Sequence, residues 1–175
     1  MVTITRTLRA VSRTVVTAAA ILFAAGAGAA DLANGWFPPL GAAKMVGGTV
    51  PDTEGKVVLV DFWASWCAPC RLSFPAYSRL QDRFRARGLV VVAVSVDTSR
   101  AAFDGFVARM HPSFVTLLDS GHDLVARVAP ATMPTSYLID RSGRIRYVHA
   151  GFHGDATEEA LAREVAGLIG ERIAP

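Results

Sequence analysis

Cysteine is scarce in this chain: two residues of 175. Two thiols cannot build a multi-bridge disulfide scaffold or a four-thiolate zinc site. Charge is sparse too, at 19% of residues against 51% hydrophobic, which is too apolar a balance for a disordered chain. No internal repeat of solenoid length is present, so an array is excluded. An excess of one charge sign is also missing from most of the chain. The formal +3 comes from Arg6, Arg9 and Arg13, and the rest holds 15 basic and 15 acidic residues. A formally neutral body offers no basic surface for nucleic acid.

The three arginines open a segment of their own, residues 1–30, which contains no acid. Residues 14–30 are uncharged, their apolar heart is 15–25, and they end in Ala27, Gly28, Ala29 and Ala30. Basic, then apolar, then small is the order of a secretory signal, cut here after Ala29 or Ala30. Uncleaved, the same segment is a membrane anchor, although it falls short of the ~20 strongly apolar residues that a spanning helix needs. Either reading places residues 31–175, one domain, in the periplasm or on the outer face of the cytoplasmic membrane. No second apolar run is long enough to span a bilayer.

Within that domain, residues 31–51 are rich in Gly and Pro and read as an extended arm with one short strand. Residues 57–62 and 89–96 are almost wholly apolar, which suits strands buried on both faces. Between them Leu72, Ala76, Leu80 and Phe84 recur every four residues, and Gly88 closes the segment, as a helix demands. This is a βαβ unit with parallel strands. A second helix starts near Ser99, with Phe103, Phe106, Val107 and Met110 on its stripe, and Pro112 ends it. Residues 114–118 form a third strand and 121–128 a short helix. Residues 136–140 and 144–148 form an antiparallel hairpin. The last helix starts near Asp155, with Asp155 and Glu158 at capping-box spacing and Leu161, Val165, Leu168 and Ile169 buried. The expected fold is α/β, a mixed central sheet with helices on both faces.

The two cysteines stand in Trp66-Cys67-Ala68-Pro69-Cys70, between the buried strand and the helix that follows. A helix N-terminus carries unpaired N–H groups and partial positive charge, both of which favour a thiolate. Cys67 at that mouth is therefore expected to be exposed, with a lowered pKa, and Cys70, one turn inside, shielded. Such a pair exchanges disulfides: one thiolate attacks, and the other resolves the mixed disulfide. Pro69 stiffens the turn and supplies no N–H. A static bridge is the weaker reading, since structural bridges usually close larger loops. Half of a metal site is weaker too, because a second pair of ligands is needed. His111, His122, His149 and His153 read as surface or hairpin residues, so no metal and no cofactor is expected.

The run Leu59-Val60-Asp61-Phe62-Trp63-Ala64-Ser65-Trp66-Cys67-Ala68-Pro69-Cys70 resembles the active-site signature of the thioredoxin superfamily. Thr132-Met133-Pro134-Thr135-Ser136-Tyr137-Leu138-Ile139-Asp140 resembles its cis-proline loop and following strand. With the leader and the 140–146 turn, residues 36–172 are most similar to TlpA-like (ResA, CcmG) thiol–disulfide oxidoreductases. The resemblance implies a thioredoxin fold, a cis bond before Pro134 and a Met133 backbone that pairs with an extended substrate. It implies that Asp61, costly to bury unless protonated or paired, exchanges a proton with Cys70. Many TlpA-like relatives carry Asn there, and the lysine that often neighbours this acid in cytosolic thioredoxins would fall near Ala93. Trp66 is expected to shield the thiols and offer a flat contact surface, Trp63 to do the same or simply pack, and Tyr77 to be core.

The implied partners are proteins with disulfides, as in cytochrome c or copper-site maturation, and a membrane thiol donor that re-reduces the chain. Two other readings stay open. One is a disulfide-forming oxidant, against which Pro69 stands where such oxidants often place His. The other is a copper-binding chaperone using the same cysteines, although similar copper proteins space them one residue wider. A peroxidase would carry Thr at Ala64.

Overall fold

A computed structural model describes residues 35–170; the leader at 1–30 lies outside the described residues. The described chain contains six strands and four α-helices. The strands are β1 (Met45–Val46), β2 (Val57–Trp63), β3 (Leu89–Ser95), β4 (Val115–Asp119), β5 (Thr135–Ile139) and β6 (Ile145–Ala150). The helices are α1 (Ala68–Phe84), α2 (Arg100–Met110), α3 (Asp123–Val128) and α4 (Asp155–Gly170).

The strands form one sheet in the order β1-β4-β3-β2-β5-β6. β2, β3 and β4 run parallel, while β1, β5 and β6 are antiparallel to their neighbours. The mixed sheet follows from the connections. Helices α1 and α2 return the chain to parallel neighbours, and a three-strand run at the other side closes with the short 140–144 turn. Asp140 Oδ1 holds that turn by accepting the Ser142 amide at 2.9 Å and the Arg144 amide at 3.1 Å.

Two apolar cores lie on the two faces of the sheet. One gathers Leu59, Trp63 and Leu138 with side chains of α1, α2 and α4. The other gathers Val60, Phe62 and Val92 with Leu124 and Val128 of α3 and Leu40 of the N-terminal arm. Helices therefore cover both faces, as expected. β2 is buried at every position because it lies mid-sheet with helices on both sides. In the first core, Trp63 packs edge-on against Phe74 at 4.9 Å and, tilted by 36°, against Phe106 at 4.4 Å. Aromatic pairs of this kind contribute about 0.5–1.5 kcal/mol each beyond area burial, and here they tie the end of β2 to α1 through Phe74 and to α2 through Phe106. Trp63 is thus core.

Four local expectations are corrected. Leu72 is 66% exposed instead of lying on the buried stripe of α1. A four-residue repeat drifts around a helix of 3.6 residues per turn, so Ala76, Leu80 and Phe84 stay inside and Leu72 turns out. The third strand is shifted by one, to Val115–Asp119. The short helix begins at Asp123, because the Asp119 carboxylate accepts the Asp123 and Val125 amides. Asp155 and Glu158 form no capping box. Asp155 is already helical, Gly154 accepts the first amides of α4, and Glu158 pairs with Arg79 of α1.

Candidate active site

Cys67 is the N-cap of α1, with Pro69 in the first turn and no acidic residue there. The two sulfurs are bonded, with 5.3 Å between their Cα atoms. The Cys70 amide also donates to Cys67 Sγ at 3.3 Å. In the reduced chain the same amide and the helix dipole favour a thiolate on Cys67. Cys67 is 4% exposed and Cys70 0%. The expectation of an openly exposed first sulfur is therefore corrected: in the bonded pair Cys67 Sγ turns inward to Cys70. The order of accessibility stays as expected.

Around the pair, Trp66 is 70% exposed, so it offers an indole surface to solvent beside the thiols. Ala68, Pro69, Arg71 and Leu72 are exposed as well. The Met133–Pro134 peptide is cis, as the resemblance implies, and Met133 packs against the core cluster that contains both cysteines. The Thr135 hydroxyl donates to Thr132 O at 2.7 Å, and Gly151 N to Pro134 O at 2.8 Å. These loop hydrogen bonds engage the residues flanking Met133 and leave its backbone out.

Asp61 is fully buried on β2, opposite Ala93 of β3 and Ser136 of β5. Burial pushes its pKa well above the ordinary carboxylate value, and a hydrogen bond from Tyr77 partly opposes that rise. The Tyr77 hydroxyl donates to Asp61 Oδ1 at 3.1 Å. Asp61 Oδ2 has no hydrogen-bond partner among the described residues. Tyr77, expected as plain core, is indeed buried, yet it also carries the polar contact to this acid.

A second acid was not singled out in the sequence. Asp97, at the carboxyl end of β3, accepts from the Ser65 amide at 3.0 Å, the Ser65 hydroxyl at 2.8 Å and the Ser95 hydroxyl at 2.8 Å. It grips the loop that leads into Cys67. Its one sequence signal is an acid just beyond a buried parallel strand, the end of such sheets where sites gather. Among the described residues, no group of three or more His, Cys, Asp or Glu could hold a metal ion. His149 instead engages Glu164 at 2.7 Å.

A cysteine pair in the first turn of a helix, with a cis proline just ahead of β5 in the same sheet, defines a thioredoxin-fold dithiol protein. A family model described as Redoxin matches residues 49–165. Thiol-disulfide oxidoreductase ResA of Bacillus subtilis (strain 168) is 31% identical over 118 residues, 67% of this chain and 64% of that protein. ResA of Bacillus cereus is 30% identical over 94 residues, 54% of each chain. The chain thus spans between about half and two thirds of the length of these curated relatives. A crystal structure from Chlorobium tepidum, assigned as thiol:disulfide interchange protein DsbE, superposes with a TM-score of 0.70. It is 35% identical, covering 78% of this chain and 97% of that one. StoA from Bacillus subtilis shares the fold, with a TM-score of 0.58 at 24% identity over 69% of this chain and 92% of StoA.

The chain belongs to the Redoxin family, and within the thioredoxin superfamily it is of the TlpA-like, ResA/CcmG type.

Proposed function

We propose that this chain is a thiol–disulfide oxidoreductase that reduces disulfides in partner proteins. The observation that carries the reading is the unequal placement of the two sulfurs. Cys67 caps α1, and Cys70 lies fully buried behind it. In the forward direction the Cys67 thiolate attacks one sulfur of the partner's disulfide. A mixed disulfide forms, and the partner's other sulfur leaves as a thiolate. Cys70 gives its proton to the Asp61 carboxylate and attacks Cys67 Sγ. The Cys67–Cys70 bond closes, and the partner's second sulfur leaves and takes up a proton. Two electrons pass from the chain's dithiol to the partner. Trp66 and the Met133 backbone beside Pro134 hold the partner's chain during attack.

The names of the ResA and DsbE relatives support exchange of thiols and disulfides. The finer reading adds clients in cytochrome c or copper-site maturation and a membrane thiol donor that restores the dithiol. It also places residues 31–175 outside the cytoplasm, behind a leader or anchor at 1–30. The test is trapping in the cell envelope. Cys70→Ser should accumulate mixed disulfides on Cys67, and the attached proteins name the clients. Cys67→Ser should trap none. Equal loss of trapping in both variants overturns the assignment of roles. Stoichiometric, tight copper binding by the reduced chain without turnover of any disulfide would transfer it to the copper-chaperone reading.

A further inference from the structure

Cys70, Ser73 and Tyr77 follow at i, i+3 and i+7 on α1, so they share one helix face, and all three are buried. That face meets the side of β2 on which Asp61 lies, the side that carries Leu59 and Trp63. Ser73 donates to the Cys70 carbonyl at 3.0 Å. One turn further along α1, Tyr77 donates to Asp61 Oδ1 at 3.1 Å, while Oδ2 has no hydrogen-bond partner among the described residues. We propose that Tyr77 is a positioning residue for the resolving step: its hydroxyl orients the Asp61 carboxylate towards α1, the helix that carries Cys70. The step itself rests on the function proposed above; the contact does not.

Other groups facing Asp61 do not supply this control. β3 presents Ala93, and β5 presents Ser136, neither of them charged. The buried side chains of α4 at Leu161, Val165 and Leu168 are apolar, as are Phe103 and Phe106 of α2. His149 lies one strand further, opposite Ser136, and is engaged by Glu164 of α4. Among the buried side chains of α1 the titratable groups are Tyr77 and, once reduced, Cys70, while Arg71, Arg79, Asp82 and Arg83 are not among its buried residues. A neutral donor stabilises the carboxylate and gives nothing comparable to the protonated acid, so it offsets part of the effect of burial. Without it, Asp61 would keep its proton to higher pH and accept the Cys70 proton only there.

The experiment compares two replacements of opposite sign. Tyr77→Phe keeps the ring and removes the donor. Tyr77→3-fluorotyrosine keeps the ring and strengthens the donor, because fluorine acidifies the phenol. Asp61 is titrated by carboxyl carbon-13 NMR in the oxidised chain. In parallel, the rate at which Cys70 resolves a mixed disulfide on Cys67 is followed against pH. Tyr77→Phe should raise the Asp61 titration and the inflection of the rate by about one pH unit. Tyr77→3-fluorotyrosine should lower both, and in an Asp61→Asn background neither replacement should move the rate profile. Shifts of the same sign, no shift, or equal shifts without Asp61 overturn the proposal. If Tyr77→Phe does not fold, the sign of the fluorotyrosine shift decides. If the natural chain exchanges no disulfide at all, the proposed function falls, and the NMR titration still decides the role of Tyr77.

Discussion

The Asp97 carboxylate accepts both the amide and the hydroxyl of Ser65, at 3.0 and 2.8 Å, across 32 residues of sequence. The end of β3 thereby fixes the loop between β2 and the first cysteine. Hydrogen bonds to a charged group contribute about 1.5–3 kcal/mol each, and they do not add. Asp97→Ala should therefore cost about 3 kcal/mol of stability in denaturant unfolding, and alkylation of reduced Cys67 at fixed pH should change with it. Asp97→Asn retains an acceptor and should recover part of both. If both variants unfold like the parent chain, the clamp contributes nothing.

That contact shows where sequence reasoning stops. The buried strands, expected at 57–62 and 89–96 and found at 57–63 and 89–95, the helix opened by Cys67 and the hairpin were legible because each is a local pattern. Apolar runs, helical spacing, a closing glycine and a short turn all lie within a few residues. The cis proline came from a resemblance between short motifs. Asp97 was not legible, since its partner is distant in sequence and an acid after a strand reads equally well as a solvated loop residue. Tyr77 was legible only by half. An aromatic at helical spacing declares burial, but the acceptor for its hydroxyl is set by how α1 lies on β2. Leu72 misled because a four-residue repeat looks like a stripe until the helix has turned.

Asp61 ties stability to pH. Burial raises its pKa in the folded chain above the unfolded value. The folded state therefore binds more protons than the unfolded state between those two values, and stability falls as pH rises through that window. The contribution is fully present below the unfolded carboxylate pKa and is lost once the folded acid ionises. Asp61→Asn, uncharged at every pH, should flatten this loss: it should raise the melting temperature at neutral and alkaline pH relative to the parent chain, with the difference shrinking towards acid. Melting curves at several pH values check it. An Asn variant that gains nothing at alkaline pH would mean that the charge is accommodated.

The direction of electron flow has its own observable. A partner-reducing dithiol should show a potential near or below the ~−180 mV typical of protein disulfide isomerase. Redox equilibration with glutathione, followed by alkylation and separation of the two forms, measures it. A value near ~−120 mV, that of a strong oxidant, would make the chain a disulfide former. The chemistry at Cys67 and Cys70 would stand, and the sequence of steps would reverse.

Trp66 separates fold from partner binding. Its side chain is 70% exposed, so it adds little to the core, and Trp66→Ala should change stability by no more than about 0.5 kcal/mol. An exposed indole beside the attacking sulfur is well suited to a partner's surface, and truncating an aromatic anchor commonly costs about 2 kcal/mol of binding. That amounts to roughly a thirtyfold fall in kcat/KM for a protein disulfide. A small, soluble disulfide has no surface to rest on the indole and should be reduced at nearly the parental rate. Parallel assays with the two substrates decide the matter. If both rates fall alike, Trp66 acts on Cys67 itself, for instance by shaping the N-terminus of α1, and the partner-contact role is withdrawn.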